Sequence, residues 1–130
     1  MTHGNPQQAV LAYLAGIIDG EGTIRIGRMR PHNGRVAPAY YASVSCGMTE
    51  LPALQLLSAT FGGSIRRERA GRTKPMYRWG TCGIDSVVHI VLPLYPYLRV
   101  KKQQAAMVLD FCFNKSIPYN RTHGVSFDQL

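Results

Sequence analysis

Leu14-Ala15-Gly16-Ile17-Ile18-Asp19-Gly20-Glu21-Gly22 is the stretch on which the reading turns. Upstream of it and through its first half, Val10, Leu11, Leu14, Ile17 and Ile18 recur at helical spacing. Pro6 suits a first turn, so a helix is predicted over Gln7–Ile18. Asp19-Gly20-Glu21-Gly22 then reads as a turn with two glycines. Ala15 and Gly16 are small enough to let two helices approach backbone to backbone. A carboxylate at Glu21, just past the helix end, meets the negative pole of the helix dipole and is disfavoured unless a cation sits there.

Working outward, Thr23–Met29 alternates, with Ile24 and Ile26 on one side and Thr23, Arg25 and Gly27 on the other, the pattern of a half-buried strand. A polar loop, Pro31–Pro38, leads to a second strand over Tyr40–Ser45, with Ala42 and Val44 inward and Tyr41, Ser43 and Ser45 outward. Thr49 is expected to cap a helix over Glu50–Phe61, which Gly62-Gly63 stops. Strands follow at Ser64–Arg69 and Met76–Thr81, joined by the basic loop Ala70–Pro75, with Tyr77 and Trp79 on the inward parity. A short apolar helix, Ile84–Leu92, precedes a break at Pro93–Leu98, then a last helix from about Lys101 to Phe113. No repeat of the first unit occurs. The expected fold is therefore α+β in one domain over residues 1–130, with the core at about 8–113 and an irregular tail at 114–130. Its αββαββα core carries helices on one face of a four-stranded antiparallel, saddle-shaped sheet.

The other face of that sheet takes its character from charge. The chain of 130 residues holds 15 Lys and Arg against 7 Asp and Glu, a net charge of +8. The basic residues concentrate in Arg25–Arg35, Arg66–Arg78 and Arg99–Lys102. Such an excess draws polyanions. By parity, Arg25, Tyr41, Ser43, Arg66 and Arg78 line a wet, cationic face suited to a DNA groove. Arg25 and Arg66 could read guanine edges bidentately, with Tyr41, Ser43 and Arg78 as further candidates. Arg28, Arg30, Arg35, Arg69, Arg72 and Lys74 lie in or near loops, where phosphate contact positions without specifying. The rival reading is an ordinary α+β protein with a basic surface.

Cys46, Cys82 and Cys112 are widely spaced and form no CxxC pair, which argues against a disulfide framework or a zinc finger; each is expected to be buried. The four histidines are dispersed and receive no role. No signal-peptide pattern and no apolar run near eighteen residues is seen, so no membrane association and an intracellular setting are expected.

The quoted stretch resembles the LAGLIDADG signature, with Glu21 in the second acidic position. Phe61-Gly62-Gly63-Ser64-Ile65, Tyr77-Arg78-Trp79 and Pro96-Tyr97-Leu98-Arg99-Val100-Lys101-Lys102-Gln103-Gln104-Ala105 resemble later segments of the same family in order, covering roughly residues 10–113. The resemblance implies a homing endonuclease that cuts double-stranded DNA as a homodimer. Its two motif helices would pack together through Leu11, Ala15, Gly16, Ile18 and Asp19. It implies Mg2+ or another divalent cation at Glu21, with the Gly20 carbonyl as a further ligand, and Asp19 organising the helix end. Lys101 matches a lysine near the family's active site, and Lys102 would neutralise phosphate. Two lysines at a helix start oppose the dipole, which also favours an anionic partner. One departure is plain: the end of the second strand, where the family often carries a polar residue that contacts metal-bound water, falls near Cys46-Gly47. A relative that keeps DNA or RNA binding without cleavage, a maturase or regulator, is the alternative.

Overall fold

The computed structural model describes residues 6–29, 39–68 and 74–116. Its elements run α1 (Pro6–Glu21), β1 (Gly22–Met29), β2 (Ala39–Met48), α2 (Leu51–Phe61), β3 (Ser64–Glu68), β4 (Met76–Cys82), α3 (Ile84–Leu94), a 3-10 turn (Tyr95–Tyr97) and α4 (Lys102–Ser116). The expected αββαββα order is present, and the predicted last helix follows it as α4. The strands form one antiparallel sheet in the order β1-β2-β4-β3, and the helices pack against one face of it.

Alternation along the strands explains why only one face is covered. Ile24, Ala42, Val44, Cys46 and Trp79 are buried beneath the helices, while Thr23, Arg25 and Arg66 on the opposite parity are exposed. From above the sheet, Leu14, Ala15 and Ile18 of α1, Leu54 and Leu57 of α2, Val87, Ile90, Val91 and Leu94 of α3, and Ala105, Val108, Leu109, Phe111 and Cys112 of α4 complete one core. Trp79 is fully buried, and its indole N–H donates to the Gly62 carbonyl at 2.8 Å, so the largest core side chain carries its polar atom satisfied. Gly62 and Gly63 turn the chain with φ of 82° and 90°, a conformation that glycine adopts freely.

Several expectations change. α1 does not end at Ile18 but continues through Asp19 and Gly20 to Glu21, and β1 starts at once on Gly22. The abrupt exchange of helix for strand requires glycine, because a Cβ on Gly22 would lie 2.9 Å from both the Cα and the carbonyl oxygen of Ile18. Thr49 does not cap α2. Glu50 is the capping residue, extended and without a side-chain hydrogen bond; a proline in the first turn removes one of the N–H groups that a cap would satisfy. β2 runs on to Met48 and takes in Cys46 and Gly47. Pro93 is the penultimate residue of α3 and does not break it. Cys46 and Cys112 are buried as expected, but Cys82 is exposed at the end of β4.

Candidate nucleic-acid interface

Cross-strand register decides which side chains share the uncovered face. Arg25 pairs with Ser43, which pairs with Cys82. Thr23, Ser45, Gly80 and Ser64 form a second row, and Gly47, Arg78 and Arg66 a third. Cross-strand neighbours point the same way from a sheet, so Arg25, Tyr41, Ser43, Arg66 and Arg78 meet on one surface as parity predicted. Ser43, Ser45, Ser64, Arg66, Arg78 and Cys82 line a shallow groove there. Tyr41 lies across its register partner Gly27, where a Cβ would come within 2.3 Å of the phenol ring. This packing buries the glycine and holds the ring over β1.

The remaining basic residues are distributed differently. Arg28 pairs with Tyr40 on the opposite parity at the exposed end of β1. Lys74 is exposed just before β4. Arg30, Arg35, Arg69 and Arg72 lie outside the described residues, as do His3, His32, His123 and the predicted tail from 117 onward. Lys102 stands over the Tyr95 ring at 5.0 Å, a cation–π contact that holds its ammonium near the start of α4.

At one end of this face the C-terminus of α1 meets the start of α4. The Asp19 carboxylate accepts the backbone N–H of Arg99 at 2.8 Å and of Lys101 at 3.0 Å. Lys101 Nζ donates to the Asp19 carbonyl at 2.7 Å, placing a cation on the negative end of α1. Burial works against ionisation of Asp19, but the backbone N–H groups of Arg99, Lys101 and Val100 and the Lys101 charge outweigh it and hold its pKa below the usual value. Glu21, exposed, is the last helical residue. Cys46, the register partner of Gly22, sits buried under this end. Burial and the Glu21 charge push its thiol up to about 11, against the opposing pull of Arg78 and Lys101.

The interface expectation for α1 needs correction at Ala15 and Ile18. Ala15 and Ile18 are wholly buried in the chain's own core, because the helix turns its Leu14-Ala15-Ile18 edge to the sheet. Leu11 and Ile17 are partly buried against the same core, and Asp19 is engaged with the start of α4. The outward line is Ala9, Ala12, Tyr13, Gly16 and Gly20. Nothing lies within 4 Å of where a Cβ would stand on Gly16 or Gly20. At the end of β2, Cys46 points into the core and Gly47 is the residue on the open face.

Glu68 was not anticipated. It lies on the open face at the end of β3 and accepts the Arg78 Nε–H at 3.1 Å. Strand parity counted from Arg66 would have placed it there, but its partner could not be named without the β3–β4 register. Cys82 was missed as a surface residue because β4 runs one residue further than its alternation suggested.

Among the described residues, no group of three or more His, Cys, Asp and Glu side chains could hold a metal ion. The exposed Glu21 carboxylate and the carbonyls of the helix end are hard oxygen donors. They fit a hard divalent cation that keeps most of its waters and takes its remaining ligands from elsewhere. Among the described residues, no helix is long and apolar enough to cross a membrane.

No family profile matches the sequence, and no curated protein matches it. Solved structures do. The homing endonuclease I-CvuI, in complex with its target in the presence of calcium, superposes with a TM-score of 0.75 at 22% identity, over 88% of this chain and 73% of its own. An archaeal intron-encoded homing endonuclease complexed with DNA gives 0.73 at 18% identity over the same shares. The LAGLIDADG homing endonuclease I-SmaMI, bound to cleaved DNA, gives 0.64 at 16% identity over 85% of this chain and 38% of its own. The chain thus has the fold of the LAGLIDADG homing endonucleases, built once around its Leu14–Gly22 helix end.

Proposed function

We propose that the protein is a site-specific double-stranded DNA endonuclease that works as a homodimer with Mg2+ or a similar divalent cation. The observation that carries this is the convergence of Glu21 and Lys101 on the C-terminal end of α1, at one end of a sheet face lined with Arg25, Arg66 and Arg78. Three structural neighbours of this chain are homing endonucleases seen with DNA, which supports the same reading.

Each residue has a definable task. Arg25 and Arg66 stand on the open face to donate to base edges, and Ser43 and Tyr41 of β2 add contacts beside Arg25. Arg28 and Lys74 hold phosphates, as do Arg30, Arg69 and Arg72, and Lys102 adds charge at the start of α4. Glu21, with the Gly20 carbonyl, would hold the cation, which when bound supplies charge neutralisation at the phosphate and a more acidic water. Lys101, fixed by the Asp19 carbonyl, presents an ammonium where negative charge develops on the phosphorus oxygens. Two chains related by a two-fold axis along the Ala12-Gly16-Gly20 line of α1 would bring two Glu21 carboxylates together. They would also read a long, nearly palindromic site.

The test is incubation with a library of DNA duplexes and Mg2+. Wild type is expected to bind a preferred site and cut both strands, and Glu21→Gln to bind without cutting. Binding with no strand cleavage by wild type would leave the second reading, a protein that binds DNA or RNA without cutting it. The bare Gly47 at the end of β2, which offers no polar side chain to order water, is the observation that favours that second reading.

A further inference from the structure

Arg78 is pinned on two sides. It lies on β4 between β2 and β3, with Gly47 as register partner on one side and Arg66 on the other. Glu68 takes its Nε–H at 3.1 Å. Its guanidinium covers Gly47, where a Cβ would stand 3.0 Å from Nη2, 3.1 Å from Cζ and 3.4 Å from Nη1. The side chain is thus held down across β2 and does not stand off the sheet as a groove-reaching arginine would. With Nε occupied, the two terminal nitrogens remain, a planar fork matched to a pair of phosphate oxygens. Arg66 and Arg78 also face each other directly, an unfavourable like-charge pair that Glu68 only half offsets.

The place matters as much as the posture. Gly47 follows Cys46, whose register partner Gly22 follows Glu21. Arg78 is therefore carried to the same end of the sheet as the end of α1, which bears Glu21 and on which Lys101 is docked. The buried Cys46 thiol lies within the electrostatic reach of all three charges.

We propose that Arg78 binds a DNA phosphate beside Glu21 at the catalytic end of the sheet, with Glu68 as the residue that positions its guanidinium. This rests on the endonuclease reading and assigns Arg78 to the backbone, where parity alone would allow base readout. Gly47 has a role in it too: any side chain there would lift the guanidinium.

The experiment compares wild type, Arg78→Gln, Glu68→Gln and Gly47→Ala on a duplex selected from a random library. The central phosphates of that duplex are replaced one at a time by neutral methylphosphonates. Binding is measured without divalent metal and cleavage in single turnover with Mg2+. One central replacement is expected to weaken wild-type binding about 10-fold, the scale of a charged hydrogen bond, and to leave Arg78→Gln unaffected. On unmodified DNA, Arg78→Gln should lose affinity equally for every base variant, and its salt slope should fall by about 0.9, one phosphate. Glu68→Gln and Gly47→Ala should bind and cut more weakly with unchanged base preference. The proposal is overturned if Arg78→Gln loses discrimination at a single base pair, or if every methylphosphonate weakens it as much as wild type. A wild type that binds without cutting defeats the endonuclease reading alone, because the methylphosphonate comparison still decides the role of Arg78.

Discussion

Asp19 and Lys101 hold each other through backbone and side chain at once: the Asp19 carboxylate accepts the Lys101 N–H at 3.0 Å, and the Asp19 carbonyl accepts Lys101 Nζ at 2.7 Å. The contact joins the end of α1 to the start of α4 across 82 residues of sequence. It sets the position of the lysine by the same helix end that carries Glu21.

Replacing Asp19 by Ala should therefore cost about 2 kcal/mol, since two backbone N–H groups lose a charged acceptor. Urea unfolding measures it. The acid dependence has a definite sign. The Asp19 pKa is depressed in the folded state, so its contribution is full above the unfolded value of 3.8. It is lost as pH falls through the lower folded value. Asp19→Asn should start less stable than wild type and lose less stability on acidification through this range; parallel pH curves for the two would refute the linkage.

Two glycines of the motif should respond in opposite ways. Gly22→Ala forces a Cβ to within 2.9 Å of the Ile18 backbone and should cost about 1–3 kcal/mol, the usual scale of overpacking. Gly16 has open space around it. Gly16→Leu should therefore leave the single chain folded, with helix propensity improved by somewhat under about 1 kcal/mol. If α1 is the dimer seam, the same change should weaken self-association at least about 10-fold in sedimentation, or about 1.4 kcal/mol. An unaltered dimer would move the interface elsewhere.

This pair also marks how far sequence reasoning reached. Strand alternation assigned Arg25, Tyr41, Ser43, Arg66 and Arg78 to one face correctly, because parity within a strand is local. It also placed Trp79 and Tyr77 toward the core. The inward turn of Ala15 and Ile18 escaped it, since composition says that a helix has a small-residue side but not which neighbour that side meets. Asp19 with Arg99 and Lys101, Glu68 with Arg78 and Tyr41 over Gly27 all depend on register or on contacts distant in sequence. Thr49 looked like a cap, yet β2 runs past its expected end and leaves Glu50 as the residue that enters α2.

Arg25 and Arg66 on the open face and Lys74 at its margin should separate by what their loss does to selectivity. Arg25→Ala and Arg66→Ala are each expected to cost about 1–3 kcal/mol at the base pair they meet and to relax preference there. Lys74→Ala should weaken all sequences alike and reduce the salt slope by about 1. Binding to a set of singly substituted sites, repeated over a range of salt, distinguishes the two. Uniform losses for Arg25 and Arg66 would reassign both to the backbone.

The cysteines offer a test of where DNA lies that is independent of cleavage. Burial is the main force pushing Cys46 and Cys112 up to about 11. At pH 8 both should be almost wholly protonated and shielded, and a thiol must ionise to alkylate. Cys82 is exposed and shares the open-face row with Ser43 and Arg25. Iodoacetamide on the folded protein should therefore modify Cys82 well before the other two, and Cys82→Ser should remove the fast phase, read by mass spectrometry. Saturating DNA should then slow the reaction at Cys82 without changing the slow pair, because a duplex on this face covers the groove that Cys82 lines. Labelling of Cys82 at the same rate with and without bound DNA would show that the duplex does not lie on the uncovered face of the sheet.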